Sequence, residues 1–166
     1  MRHHLGDHCH NRSHHHPQEM KPDLFIGIDP GKSGSIAFLP ADGEPWTIKL
    51  SETDHDIAGA LIDANLGRES FAVLERVHSS PQMGVKSAFS FGQSFGKCEM
   101  LLAALGIPYE LVAPAKWQGD MKCRTKGDKN VTKAMAQRLF PNIKITHANA
   151  DALLLAEYAR RNNTCN

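Results

Sequence analysis

The sequence predicts one α/β domain built on a mixed β-sheet, in which an antiparallel three-strand meander is joined by two parallel strands and helices cover both faces. Two patterns predict this class. Three short apolar runs connected by tight turns come first, as expected for a meander. Further apolar strands then alternate with segments of helical periodicity, which is typical of parallel strands covered by helices.

The meander is predicted from three apolar runs and from the turn residues between them. The first strand, Leu24–Ile28, ends at the Asp-Pro-Gly turn of residues 29–31, and Ser35–Leu39 follows as the second strand. A second turn over residues 40–43 leads to the third strand, Trp46–Leu50. Short strands joined in this way pair with their neighbours in the chain.

The rest of the chain alternates helices with strands. Thr53 or Asp54 caps a helix that extends to about Leu66. The strand Ser70–Val77 is apolar on both faces until Glu75, as expected in the middle of a sheet. The remaining elements are a helix from about Ser87 to Leu105, a strand over Tyr109–Val112, a helical turn over Pro114–Trp117, a helix from Asp128 to about Leu139 and a helix from about Ala148 to Arg161.

Composition separates a leader, residues 1–22, from a folded domain, residues 23–162. Residues 1–19 contain seven of the ten histidines and few apolar residues, so we expect this segment to be disordered. No apolar run is long enough to span a membrane, and no secretory signal is visible. The four cysteines lack disulfide or metal-ligand spacing, which predicts free thiols in a cytoplasmic protein.

The positive charge of the chain is concentrated in one segment. The formal net charge is only +1, yet residues 116–133 carry six basic side chains against two acidic ones. A local basic patch can bind phosphates while the whole chain stays near neutral. We therefore predict that the phosphate-binding residues are Lys116, Lys122, Arg124, Lys126, Lys129 and Lys133.

Three carboxylates are distinguished by their apolar surroundings. Asp29 ends the first strand, Glu75 lies near the end of an otherwise apolar strand, and Asp151 belongs to a last helix that is apolar nearly all round. A buried carboxylate without a partner is costly, and convergence of the three would add like-charge repulsion. A divalent cation removes both penalties, and oxygen ligands suit Mg²⁺ or Mn²⁺ better than zinc.

His147 precedes Asp151 by four residues, so both side chains are predicted to share one helix face. The histidine can ligate a metal, position a water molecule or move a proton. Each residue also has an ordinary interpretation: Asp29 starts a turn, Glu75 pairs with a basic side chain, and Asp151 favours a helix N-terminus that His147 caps. The functional interpretation is favoured because all the ordinary ones must hold together.

These residues resemble the RuvC-type Holliday junction resolvases of the RNase H-like superfamily, and the phage and chloroplast branch is the closer match. The resemblance extends from about Phe25 to Arg160. It is carried by Gly27-Ile-Asp-Pro-Gly31, by Gly34-Ser-Ile-Ala37, by Leu74-Glu75, by Phe91-Gly-Gln-Ser-Phe-Gly96 and by His147-Ala-Asn-Ala-Asp151.

The resemblance implies an RNase H-like fold, a homodimer and magnesium-dependent nicking of a four-way DNA junction, with two metal ions in each active site. By position, Asp29, Glu75 and Asp151 take the metal-ligand roles, and His147 stands near a site where relatives often carry another acid. Lys116 and Lys129 fall where the family has basic residues that contact the scissile region. The helix containing Gly92 and Gly96 corresponds to a dimer interface, although close packing on its own sheet is an equal alternative.

The family also uses the loop after the catalytic glutamate, with an aromatic residue near it, to open the junction centre. His78, Met83 and Phe89 are the candidates here, and Phe89 is equally a candidate for the core. The function predicted from the sequence is thus a junction-resolving DNA endonuclease. The alternatives are a ribonuclease acting on RNA–DNA hybrids and a non-catalytic nucleic-acid-binding module of the same fold.

Overall fold

The computed structural model describes residues 21–31, 33–76 and 83–164. Five strands form one mixed sheet in the order β3-β2-β1-β4-β5. The strands are β1 Leu24–Ile28, β2 Ser35–Pro40, β3 Trp46–Lys49, β4 Ser70–Glu75 and β5 Tyr109–Val112. The helices are α1 Asp54–Asn65, α2 Val85–Ala104, α3 Pro114–Asp120, α4 Asn130–Leu139 and α5 Ala150–Thr164.

The pairing of the strands confirms the predicted mixed sheet. Strands β1, β2 and β3 form the antiparallel meander, while β4 is parallel to β1 and β5 is parallel to β4. In the register of β1 and β4, Ile28 is opposite Leu74. Asp29 and Glu75 each come one residue later, so both carboxylates emerge at the same end of neighbouring strands.

Helices cover both faces of the sheet, as the sequence predicted. On one face, Phe25 and Val73 pack in a core with Trp117 and the apolar residues of α5. On the other face, alternate strand residues such as Ile26 pack with Ile57 of α1 and with the end of α2. Successive side chains of a strand point to opposite faces, so Asp29 and Glu75 share the side of the sheet on which α5 lies.

Helix α5 approaches strand β1 unusually closely, and Gly27 permits this approach. A Cβ atom at position 27 would lie 2.1 Å from the carbonyl oxygen of Ala152 and 2.3 Å from the backbone nitrogen of Ala156. Only glycine leaves room for two backbones at such a distance. The missing side chain therefore brings the start of α5, which carries Asp151, next to the end of β1, which leads into Asp29.

Helix α2 packs on the sheet through its C-terminal half, where Cys98 and Leu102 are buried. Added Cβ atoms at Gly92 and Gly96 would meet nothing within 4 Å, so close packing of this face on the sheet, one of the two sequence-based alternatives, is wrong. Phe89 is 66% exposed, which also excludes a core role for it.

Other sequence-based assignments have mixed outcomes. Cys98 and Cys123 are free, buried thiols as expected. All but the last two positions of the predicted leader lie outside the described residues. His78 also lies outside them. Within the described ranges, no helix combines the length and the apolar character needed to cross a membrane.

Candidate active site

Asp29 is fixed by the turn that connects β1 to β2. Its backbone N–H donates to the carbonyl of Ser35 at 3.1 Å, and the Gly31 N–H donates to Asp29 Oδ1 at 3.1 Å. A Cβ atom on Gly34 would lie 2.1 Å from the carbonyl oxygen of Asp29, so this turn closes only around glycine. The Asp-Pro-Gly segment does start a turn, and the same turn holds the carboxylate at the sheet end.

Asp151 lies in the first turn of α5, and the chain before it is tied to the sheet. The buried hydroxyl of Ser35 donates to the carbonyl of Ala148 at 2.9 Å, which links the meander to the segment leading into α5. Asp151 Oδ1 is buried and has no hydrogen-bond partner among the described residues. A buried carboxylate oxygen without a donor is costly, so this atom is a candidate contact for a cation.

Glu75 ends β4 and is only 8% exposed. The indole nitrogen of Trp117, which belongs to α3 and is fully buried, donates to Glu75 Oε1 at 2.9 Å. No basic side chain forms a salt bridge with Glu75 within the described part of the chain. The ordinary interpretation of Glu75 as one half of an ion pair therefore receives no support.

The charges of neighbouring carboxylates act on Asp29 and on Glu75. Burial raises the pKa of Asp29 above its ordinary value, and the charge of Asp151 raises it further, against the lowering by the Gly31 hydrogen bond and by Lys129. Burial also raises the pKa of Glu75, to about 7, and the charges of Asp29 and Asp151 act in the same direction. The Trp117 hydrogen bond and the charge of Lys129 oppose that rise. The three acids thus share one electrostatic environment.

The donor set suits a hard divalent cation, but the side chains do not enclose one. Among residues 21–31, 33–76 and 83–164, no three His, Cys, Asp or Glu side chains are grouped closely enough to hold a metal ion. The unpartnered Asp151 oxygen and the mutual repulsion of the three acids are nevertheless what a cation of the magnesium type would relieve. A closed ligand set therefore requires side-chain movement at this sheet end.

His147 is not on the helix with Asp151, so the predicted shared helix face is wrong. It occupies an exposed turn over residues 147–149, and α5 begins only at Ala150. The reason is a cap formed by side chains. Asn149 Oδ1 accepts from the Thr146 N–H at 2.7 Å and from its hydroxyl at 3.1 Å, which sets the chain turning before the helix starts.

The predicted basic residues differ in how close they come to the carboxylates. The charge of Lys129 lowers the pKa of both Asp29 and Glu75, so this side chain lies near the site. Lys116 instead pairs with Asp120 at 3.0 Å and lies 5.7 Å from the centre of the Tyr158 ring. The other members of the set lie on the same basic segment: Lys122, Arg124 and Lys126 are exposed and Lys133 is half-buried.

Backbone conformation sets the basic loop apart from the rest of the chain. Lys122 and Lys126 have φ angles of 54° and 47°, in the left-handed region that side chains other than glycine rarely adopt. Such strain is commonly retained where function requires it. Sequence reasoning located this basic segment but offered no sign of its left-handed lysines.

The sheet order, the strand pairing and the two helical layers define an RNase H-like fold. Solved structures share this fold. The chain is similar to Thermus thermophilus RuvC in complex with a Holliday junction substrate, at 16% identity and a TM-score of 0.60, over 85% of this chain and 97% of that one. A second Thermus thermophilus RuvC structure is 18% identical with a TM-score of 0.54, over 84% and 97%. No protein-family model and no curated protein matches the chain. Because the sequence identity is this low, the similarity establishes the fold alone.

Proposed function

We propose that this protein is a magnesium-dependent DNA endonuclease that recognises and resolves four-way junctions. The observation that carries the proposal is the placement of Asp29, Glu75 and Asp151 at one sheet end, where burial and the charge of Asp151 raise the pKa of both Asp29 and Glu75. A fold needs no such cluster for its stability. The similar solved structure is a RuvC bound to a Holliday junction, which supports the choice of substrate.

In the proposed site, Asp29, Glu75 and Asp151 hold Mg²⁺, which Mn²⁺ can replace, with two ions in each site. Bound magnesium supplies the positive charge that activates water and stabilises the leaving oxygen in phosphodiester hydrolysis. The residues of the chain bind and orient: the Gly31 N–H fixes one oxygen of Asp29, and Glu75 is buried at the end of β4. His147 remains a candidate for holding metal or for moving a proton at the edge of the site.

The basic segment is proposed to bind the phosphates that flank the scissile bond. Lys129 lies near enough to act electrostatically on Asp29 and Glu75, so it can contact the phosphate closest to the cut. The other basic residues of this segment extend the contact along the backbone. Contacts of this kind position the DNA without reading its bases, so selectivity comes from the shape of the junction. Met83 and the exposed Phe89 remain candidates for opening its centre.

We further propose that α2 forms a homodimer with the same helix of a second copy. Val85, Phe89, Gly92, Gly96 and Met100 recur at intervals of three or four residues, so they lie along one side of the helix. Val85 is 89% exposed and Met100 is 68% exposed, and the two glycines leave the surface open for close approach. A two-fold dimer would present two sites to a junction that has matching symmetry.

The direct test is cleavage of a synthetic four-way junction with Mg²⁺ and with EDTA, by the wild type and by Asp29→Asn. Linear duplex of the same sequence is the substrate control. We expect paired nicks in the junction that require Mg²⁺, and a loss of roughly 100-fold on substitution of Asp29, because amide replacement removes a charged ligand. Equal cleavage by the two proteins would remove Asp29 from the mechanism.

Two further arms of the experiment separate the alternatives. A ribonuclease would cut an RNA–DNA hybrid in preference to the junction. A non-catalytic module would bind the junction tightly and cut nothing in Mg²⁺ or Mn²⁺. Size-exclusion chromatography with light scattering tests the dimer, and Phe89→Lys, which places a charge on the exposed apolar side of α2, is expected to yield monomers.

A further inference from the structure

Trp117 is a fully buried residue whose polar group is directed at the candidate site. The indole N–H is the only hydrogen-bond donor of its side chain, and it is committed to Glu75 Oε1 at 2.9 Å. A buried indole needs some acceptor, but a neutral carbonyl would serve. The acceptor here is instead the carboxylate of Glu75, which gains a charge-assisted hydrogen bond beside the charges of Asp29 and Asp151. The hydrogen bond therefore serves the glutamate as well as the indole.

Backbone hydrogen bonds fix the position of this donor next to Glu75. Val112, the last residue of β5, is the register partner of Glu75, and the Arg76 N–H donates to the Val112 carbonyl at 2.8 Å. The chain then enters α3 at Pro114, and the backbone N–H of Trp117 donates to the Ala113 carbonyl at 3.3 Å. One parallel strand pair and one helical turn thus set the distance between the indole and the carboxylate.

We propose that Trp117 is a positioning residue for Glu75: its indole N–H holds one carboxylate oxygen, so that Glu75 presents only its other oxygen to a divalent cation. This inference rests on the proposed metal-dependent function. The hydrogen bond fixes the orientation of the carboxylate and stabilises its charged form, the form that binds a cation. Trp117 itself touches neither metal nor DNA in this role.

Titration with Mn²⁺ by calorimetry tests the proposal without any catalytic assay. Trp117→Phe keeps an aromatic ring in the core and removes the indole donor together with part of the ring volume, so some loss of stability is expected from the cavity alone. We expect the affinity for Mn²⁺ to fall by about 10- to 100-fold, the usual consequence of removing a group that orients a metal ligand. The control is Trp46→Phe on the distal edge strand β3, where the ring stacks on Phe38 at 5.1 Å, and it should leave the affinity unchanged.

Junction binding in EDTA separates a positioning role from a structural one. We expect Trp117→Phe to bind the junction as the wild type does, because the basic segment is intact, while kcat falls and KM stays the same. A collapse of the site through misfolding would instead weaken binding and lower the melting temperature together, and that result would contradict the proposal.

Nuclear magnetic resonance supplies a test that needs no change at position 117. The chain has two tryptophans, so its spectrum has two indole N–H signals, and Trp46→Phe assigns them. Saturation with Mg²⁺ should shift the Trp117 signal and leave the Trp46 signal in place. If wild type and Trp117→Phe bind Mn²⁺ with the same affinity, or if Mg²⁺ does not shift the Trp117 indole signal, the positioning role is wrong while the nuclease proposal stands. If the wild type binds no divalent cation, both fail.

Discussion

Gly27→Ala tests whether the contact between β1 and α5 creates the candidate site. The added Cβ would lie 2.1 Å from the Ala152 carbonyl oxygen and 2.3 Å from the Ala156 nitrogen, and both are backbone atoms that no rotamer change can move. Ordinary contacts lie near 3.5 Å, so strand and helix must separate by roughly 1 Å or more. This separation acts directly on the distance between the elements that carry Asp29 and Asp151.

The expected loss of stability is about 3 kcal/mol, at the upper end for overpacked cores, because neither side can yield. For a chain of this length each kcal/mol lowers the melting temperature by about 2–4 °C, which gives a decrease of roughly 6–12 °C. Cleavage of the junction should fall by about 100-fold even well below the melting temperature, since displacements of about 1 Å in a site have effects of that size.

Gly59→Ala is the matched control, because a Cβ at this mid-helix position of α1 would meet nothing within 4 Å. Here alanine should raise stability by about 1 kcal/mol through helix propensity. Circular dichroism melts in EDTA compare the two variants. Melting of Gly27→Ala at or above the wild-type temperature would refute the close-approach argument. A lower melting temperature with full cleavage activity would show that this contact supports the fold but does not set the site.

Three further predictions concern charge and polar contacts. The folded-state pKa of Glu75 is raised from 4.5 to about 7, so between these pH values the folded metal-free protein retains a proton that the unfolded chain loses. The contribution of this group to stability therefore falls as pH rises from about 4.5 to 7. In EDTA melts, Glu75→Gln should lose less stability than the wild type over this range, and an identical loss would be contrary evidence. Lys129→Ala should weaken junction binding and reduce the slope of log affinity against log salt by about one, whereas Lys21→Ala at the start of the described chain should change neither. Ser35→Ala removes the buried hydroxyl that donates to the Ala148 carbonyl, so it should cost about 1 kcal/mol in denaturant unfolding, and an unchanged midpoint would show that this contact contributes nothing.

Local patterns were sufficient to predict the sheet. The bounds of β1 and β5 are those predicted, since a proline follows each strand within two residues. The position of Asp29 and Glu75 at one sheet end also followed from the chain, because each stands at the end of a strand. The charges acting between them and Asp151 support the predicted grouping of these three, whereas their roles as metal ligands stay a prediction.

What the sequence did not reveal depends on contacts between distant residues. The hydrogen bond from Trp117 to Glu75 joins residues 42 positions apart and arises from the register of β4 and β5. The start of α5 was misplaced because helical spacing does not register the cap formed by Thr146 and Asn149. The shared helix face assumed for His147 and Asp151 is wrong for the same reason, since His147 lies in the turn that precedes α5.

A close backbone contact and an unpaired buried carboxylate oxygen occur side by side at the start of α5. Gly27 brings α5 against β1 with no side chain between them, and at the end of this contact Asp151 Oδ1 is buried without a donor. A fold selected for stability alone would place an apolar or paired residue there, because an unpaired carboxylate opposes the packing beside it. A divalent cation bound beside this oxygen would remove the cost. Mg²⁺ should therefore raise the melting temperature of the wild type more than that of Asp151→Asn, and an equal rise in both would leave the cost of this carboxylate without an explanation.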